Sequence, residues 1–171
     1  SPLWIYMPLG AQYDLPRVIL HWREIAFPRS VLRVSFAMVR TLLIFVKAPR
    51  VGQVKRRLAR DIGSAEAWSF YRRTTRRLIL RLARGLRWRC HLVVTPDSFD
   101  GRERFWPLPY PVMKQGEGDL GMRMWRAFEK APAGPTVLVG SDIPDLRPCH
   151  ITKAFAALGR ADAVFGPAED G

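Results

Sequence analysis

Thr41-Leu-Leu-Ile-Phe-Val-Lys47-Ala-Pro-Arg-Val-Gly52-Gln-Val-Lys55-Arg-Arg57-Leu58 is the stretch whose reading decides the fold. Thr41–Val46 is a continuous apolar run of strand length, without polar alternation. A strand that reads this way is covered on both faces, as in a parallel sheet flanked by helices. The run ends in Lys47, a Pro/Gly turn follows, and Lys55 and Arg57 open a helix. Strand, flexible turn and cationic helix start is the layout of an anion-binding loop. Free N–H groups and the helix dipole both favour negative charge there.

The rest of the chain extends that pattern. Ser64 predicts a helix N-cap for Ala65 to about Arg84, with Trp68, Tyr71, Thr75, Leu78 and Leu82 on one face and arginines on the other. His91–Thr95 reads as a second buried strand, residues 97–111 as an irregular loop, and Val112–Lys114 as a short strand. Gly121–Lys130 is a helix, Thr136–Val139 a strand, Pro148–Leu158 a helix with Pro in its first turn, and Ala163–Phe165 a last strand. Strands alternating with helices imply an α/β fold, a three-layer α/β/α sandwich on a mostly parallel sheet.

Length allows one domain with a sizeable core. The domain is expected to run over 38–171, starting at Met38. Residues 1–37 then form an extension or the product of a misplaced start; the other reading is a helix over Val18–Ile25 packed on the sheet. Residues 163–171 read as a strand entering a loop, so the domain is expected to be incomplete at its C-terminus.

The net charge is +13 and the pI about 11.0. Thirteen Lys and Arg lie between Arg50 and Arg89, against Asp61 and Glu66 alone. Such a face attracts nucleic acid, anionic lipid or phosphorylated small molecules; an arginine-rich genome produces the same excess with no partner at all. Cys90 and Cys149 are widely separated and lack C-x-x-C spacing, which points to a reducing compartment and to thiols that are buried or inert. No apolar run approaches the ~18 residues of a membrane span, and no signal-peptide order is present at residue 1. The expected location is cytoplasmic.

Ligands of open α/β sheets bind beyond the carboxyl ends of the strands. That rule gathers Lys47, Gly52, Lys55 and Arg57 around one pocket. Gly52 lets the backbone approach a phosphate, and Lys55 and Arg57 neutralise pyrophosphate charge. A solvated, cation-rich helix start fits the same residues. No Walker A loop occurs. Two more loops fall at the same edge. Val139-Gly-Ser-Asp142-Ile-Pro144 puts a carboxylate directly after a buried strand, suited to Mg²⁺ or Mn²⁺ or to capping a turn. Asp145 reads as a cap for the following helix. Gln115-Gly116-Glu-Gly118-Asp119-Leu-Gly121 offers amide and carboxylate groups for a nucleobase edge, or is a plain glycine-rich turn. His21, His91 and His150 have no ligand spacing and read as structural, and no nucleophile motif is present.

Taken together, K-A-P-x-x-G-x-V-K-x-R-L, Q-G-x-G-D-L-G-x-R-M, G-S-D-I-P-D-L and G-P-A-x-D-G resemble the DUF2064 family over Met38 to Gly171. The resemblance implies a bacterial protein with a GT-A-like nucleotide-diphospho-sugar transferase fold, of the arsenosugar-biosynthesis glycosyltransferase type. It is similar also to the guanylyltransferase that acts on phospholactate. By this resemblance Lys47, Gly52, Lys55 and Arg57 hold donor phosphates, and Gln115, Gly116 and Asp119 lie near the base. Asp142 binds the metal, and Asp170 with Gly171 begins a loop facing sugar or acceptor. One departure stands out: the family's K-T-R-L reads Lys55-Arg56-Arg57-Leu58.

The expected activity is therefore a metal-dependent glycosyl transfer from a nucleotide-diphospho-sugar to a small-molecule acceptor. The alternative is a nucleotidylyltransferase that takes an NTP. A nucleic-acid-binding module using the arginine face of residues 72–89 lacks an aromatic platform and is disfavoured.

Overall fold

The computed structural model describes residues 39–84, 87–99, 105, 106, 110–159, 161 and 163–166. The expectations for residues 1–38, including the start at Met38 and the helix over Val18–Ile25, lie outside these. So do Asp170 and Gly171. The elements run β1 (Thr41–Lys47), α1 (Leu58–Ile62), α2 (Ser64–Ala83), β2 (Arg89–Thr95), β3 (Val112–Lys114), α3 (Leu120–Glu129), β4 (Thr136–Gly140) and α4 (Pro148–Leu158). All four strands are parallel, in the order β3-β2-β1-β4.

The central position of β1 explains its unbroken apolar run. Its side chains alternate between two cores, so both faces must be apolar. Leu42, Ile44 and Val46 point to the same side as Leu92, Val94, Val137 and Val139, against Leu78, Ile79 and Leu82 of α2 and Ile151 and Phe155 of α4. Leu43 and Phe45 point to the other side, with Val93 and Leu138, against Ala127 of α3. The sandwich is thus α2 and α4, then the sheet, then α3. Shortening Leu42 or Leu78 to Ala would remove fully buried side chains at a cost of about 2–5 kcal/mol.

Four local expectations need correction. Ser64 does not cap α2: it is the first helical residue, and Gly63 precedes it at φ +87. Gly63 also closes α1 after a single turn, and only glycine takes that backbone angle without strain. Asp145 does not cap α4, because Pro148 at the first helical position makes Arg147 the N-cap. There the Arg147 N–H donates to His150 Nδ1 at 3.2 Å. Ala163, Val164 and Phe165 form no strand: no ladder pairs them to the sheet, and Phe165 is 64% exposed. Finally, Cys90 is buried as expected but Cys149 is exposed, because it follows Pro148 on the open side of the first turn of α4. Among the described residues no helix is long and apolar enough to cross a membrane.

Candidate active site at the fork between β1 and β4

Strand order creates the site. From β1 the chain moves outward through β2 to β3, then returns to the opposite side of β1 as β4. The β1–β4 junction is where the strand order reverses: β1 leads outward by way of α2, and β3 returns by way of α3 on the other face. Crevices of this kind are where open α/β sheets bind ligands. The last ladder pair is Phe45 with Gly140, and the Ser141 N–H donates to the Phe45 carbonyl at 3.0 Å. Past that bond the Lys47 loop and Asp142 diverge around a cleft of about 630 Å³.

Lys47, Lys55, Arg56, Arg57, Tyr71, Ser141 and Asp142 line the cleft, together with Gln53, Val54, Leu58 and Phe70. Four cations against one carboxylate make it a basin for a multiply charged anion. Lys55 Nζ sits 3.2 Å from Asp142 Oδ2, which brings the two sequence-predicted charges of different loops into direct contact. Both side chains are partly exposed, so the pair itself contributes little stability, under about 1 kcal/mol. Lys55 holds φ +47, the one non-glycine residue with positive φ among those described. Such angles cluster where the surrounding structure enforces them.

Gly52 is on the turn but does not line the cleft. A Cβ there would meet nothing within 4 Å, so its φ of +75, rather than close approach of another group, calls for glycine. The helix after this loop, α1, has only five residues. The positive field expected from a helix start therefore comes mainly from side-chain cations.

Helix α2 braces both walls. The Lys47 N–H donates to Tyr71 Oη at 3.0 Å, and Tyr71 Oη donates to the Lys47 carbonyl at 3.0 Å. Ser141 Oγ lies 3.4 Å from the same Tyr71 oxygen. Trp68 Nε1 donates to the Pro49 carbonyl, and Arg81 Nη1 donates to the carbonyls of Pro144 at 2.7 Å and Leu146 at 3.3 Å. Burial pushes the Tyr71 phenol above its usual pKa, so it stays a neutral donor.

The β3–α3 loop follows the edge strand β3 beyond β2, with Gln115 buried and Glu117 to Asp119 exposed. Gln115 is buried, and its Nε2 donates to the carbonyls of Val46 at 3.2 Å and Val93 at 3.0 Å. Arg123 Nη1 reaches Gln115 Oε1 at 3.4 Å. The Gly116 N–H donates to Asp97 Oδ1 at 3.0 Å, and Gly116 takes φ +78. Asp119 caps α3, its Oδ1 accepting from the Met122 N–H at 2.8 Å. Arg126 Nη1 donates to the carbonyls of Gln115 and Glu117, both at 2.9 Å.

The structure thus brings Lys47, Lys55, Arg57 and Asp142 together around this cleft; Gln115, Gly116 and Asp119 do not line it, although Gln115 reaches the Val46 carbonyl beside Lys47. Tyr71, Ser141 and Arg56 join the cleft without having been singled out as binding groups. Tyr71 read as one more residue of an apolar face, and only a hydroxyl at a helix's N-terminal half hinted at more. Among the described residues no group of three or more His, Cys, Asp or Glu could hold a metal. Asp142, 63% exposed, offers a single reachable carboxylate. One carboxylate plus ligand phosphate oxygens is a donor set that hard divalent cations accept.

Residues 78–171 match the family described as "Uncharacterized protein conserved in bacteria (DUF2064)". That span contains Asp142 and the β3–α3 loop and begins after the Lys47 loop. A crystal structure named as a "putative nucleotide-diphospho-sugar transferase", from Desulfovibrio desulfuricans G20, is 38% identical with a TM-score of 0.71. The match covers 77% of this chain and 59% of that one, so the chain spans less than two thirds of that structure's length. No curated protein matches the chain.

Proposed function

The chain belongs to the DUF2064 family, and on that premise we propose that it is a glycosyltransferase that takes its donor, a nucleotide-diphospho-sugar, at the fork between β1 and β4. The observation that carries this reading is the Lys55–Asp142 contact inside a cleft lined by four cations. The donor's diphosphate has the charge and length to lie between these groups. Lys47, Lys55 and Arg57 neutralise it, Arg57 with the geometry for two oxygens at once. Asp142 would hold Mg²⁺ or Mn²⁺ there, and the cation when bound supplies charge neutralisation for the departing nucleoside diphosphate. Asp142 has Lys55 as its neighbour, so donor binding transfers the ammonium from carboxylate to phosphate. With charge stabilised on the leaving group, a small-molecule acceptor hydroxyl attacks the anomeric carbon. Positioning and electrostatics supply most of the rate. Asp170, expected at the acceptor side, lies outside the described residues. Gln115, Gly116 and Asp119 shape the ends of β1 and β2 in this proposal rather than contacting a base with the groups described above.

Arg56 favours a second reading. It adds a fourth cation to the cleft, suited to the greater charge of a triphosphate, and so to a nucleotidylyltransferase. Titration of nucleoside diphosphates, triphosphates and nucleotide-sugars with and without Mg²⁺ or Mn²⁺ separates the two. Metal-dependent binding of a nucleotide-sugar, abolished by Asp142→Ala, is the expected result. Preference for a free NTP, with pyrophosphate released on adding a phosphorylated acceptor, would overturn it in favour of the second. Metal-indifferent, salt-sensitive binding of DNA or RNA would overturn both.

A further inference from the structure

We infer that Tyr71 is a positioning residue that sets the width of the β1–β4 fork, and with it the spacing between the cationic loop and Asp142. The inference rests on the donor site proposed above and adds a residue that none of the four motifs contains. The β1–β4 ladder stops short of both walls of the cleft. Backbone pairing ends with the Ser141 N–H on the Phe45 carbonyl, so neither Lys47 nor Asp142 is held by the sheet across the fork. Tyr71 Oη stands at that point. It can donate one hydrogen bond and accept two. The Lys47 N–H and carbonyl take one of each at 3.0 Å, and Ser141 Oγ at 3.4 Å can fill the remaining acceptor position. One oxygen therefore joins the last residue of β1 to the residue that immediately precedes Asp142.

The anchoring of that oxygen is rigid. Tyr71 is 5% exposed on α2, and Thr75, Leu78, Ile79 and Leu82 bury the same helix against the sheet. Burial keeps the phenol protonated, so the node holds across the neutral pH range. Tyr71 also lines the cleft, which puts its ring beside the ligand without requiring that it take part in the reaction. Groups that orient a metal-binding side chain without touching the metal typically govern affinity by about 10–100-fold.

The test uses the whole chain and Mn²⁺ with inorganic pyrophosphate as the probe. Tyr71→Phe keeps the ring and deletes the node; Ser141→Ala deletes one arm; Ile79→Val loosens the same helix away from the fork. Calorimetric titration is expected to show Mn²⁺–pyrophosphate binding weakened about tenfold in Tyr71→Phe. Ser141→Ala should weaken it less, and the double variant should bind no worse than Tyr71→Phe alone, as expected when both residues act through one node. Hydrogen exchange at the Lys47 amide should accelerate at least about tenfold in Tyr71→Phe and remain unchanged in Ile79→Val. Wild-type affinity in Tyr71→Phe, or an equal loss in Ile79→Val at matched melting temperature, would overturn the inference. If the wild-type chain binds no Mn²⁺–pyrophosphate, the donor-site reading falls. The fork's brace is then judged by the Lys47 amide alone: acceleration upholds it, and no change removes it.

Discussion

At the β1–β4 fork, Lys47, Lys55, Arg56, Arg57 and Asp142 border a common cleft, whereas at the β3–α3 loop Gln115 and Gly116 bond inward and the exposed Asp119 caps its own helix. Both segments follow a strand, both contain glycines with positive φ, and both mix charged and amide side chains. Strand order separates them. At the fork the β1–β4 pairing stops at Phe45 and Gly140, and a cleft opens between the loops that follow. The β3–α3 loop continues onto a helix packed beside it, and that helix supplies Arg123 and Arg126 as partners. Two polar loops at one sheet edge thus differ in whether a cleft lies beside them.

Substitutions can break that contrast. Asp142→Asn should have the largest effect, lowering transferase kcat/KM by about 10²–10³ with little change in melting temperature; equal loss of both would make it a structural residue. Next comes Gln115→Leu, which removes a second hydrogen bond from the Val46 and Val93 carbonyls and should cost about 1–3 kcal/mol in denaturant unfolding. Donor affinity should fall far less, and a loss of binding without loss of stability would return Gln115 to the ligand. Lys55→Ala should weaken pyrophosphate binding by about tenfold, a loss near 1.4 kcal/mol, while shifting stability by less than about 1 kcal/mol. The smallest effects come from two titrating groups outside both regions, the half-buried His91 and the buried Cys90. Burial, then the Arg89 charge, holds His91 below its usual pKa, and its Nδ1 has no partner. The stability it contributes is present above about 6.5 and is lost as pH falls through the lower folded value. Burial pushes Cys90 up to about 12, so its contribution is present below 9.0 and lost as pH rises toward 12. Melting temperatures from pH 5 to 10 should fall at both ends, and His91→Gln should flatten the acid side only.

Much of the fold was legible because β1 and β2 are buried on both faces and advertise it as unbroken apolar runs. The charges of the cleft were legible too, since Lys47, Lys55, Arg57 and Asp142 sit directly at or after strand ends. Tyr71 was not, because its aromatic ring satisfies the helix period whether or not its hydroxyl has a task. Gln115 and Asp119 carry internal hydrogen bonds that the sequence did not announce, for a related reason. Capping and bracing use the same residue types as ligand contacts, and only the position of Met122, Val46 and Val93 tells them apart. The apolar residues at 163–165 lacked a neighbouring strand, which local pattern cannot supply.

Helix α2 has a mechanical consequence. It is a rod of 20 residues, about 30 Å long, pinned by Trp68 to Pro49, by Tyr71 to Lys47, and by Arg81 to Pro144 and Leu146. Both walls of the cleft hang from one stiff beam, so neither can swing toward the other as a hinged flap. Adjustment to a ligand is left to the side chains and to the turn around Gly52, beyond the last pin. The walls should show the same slow amide exchange with and without a nucleotide, while that turn changes.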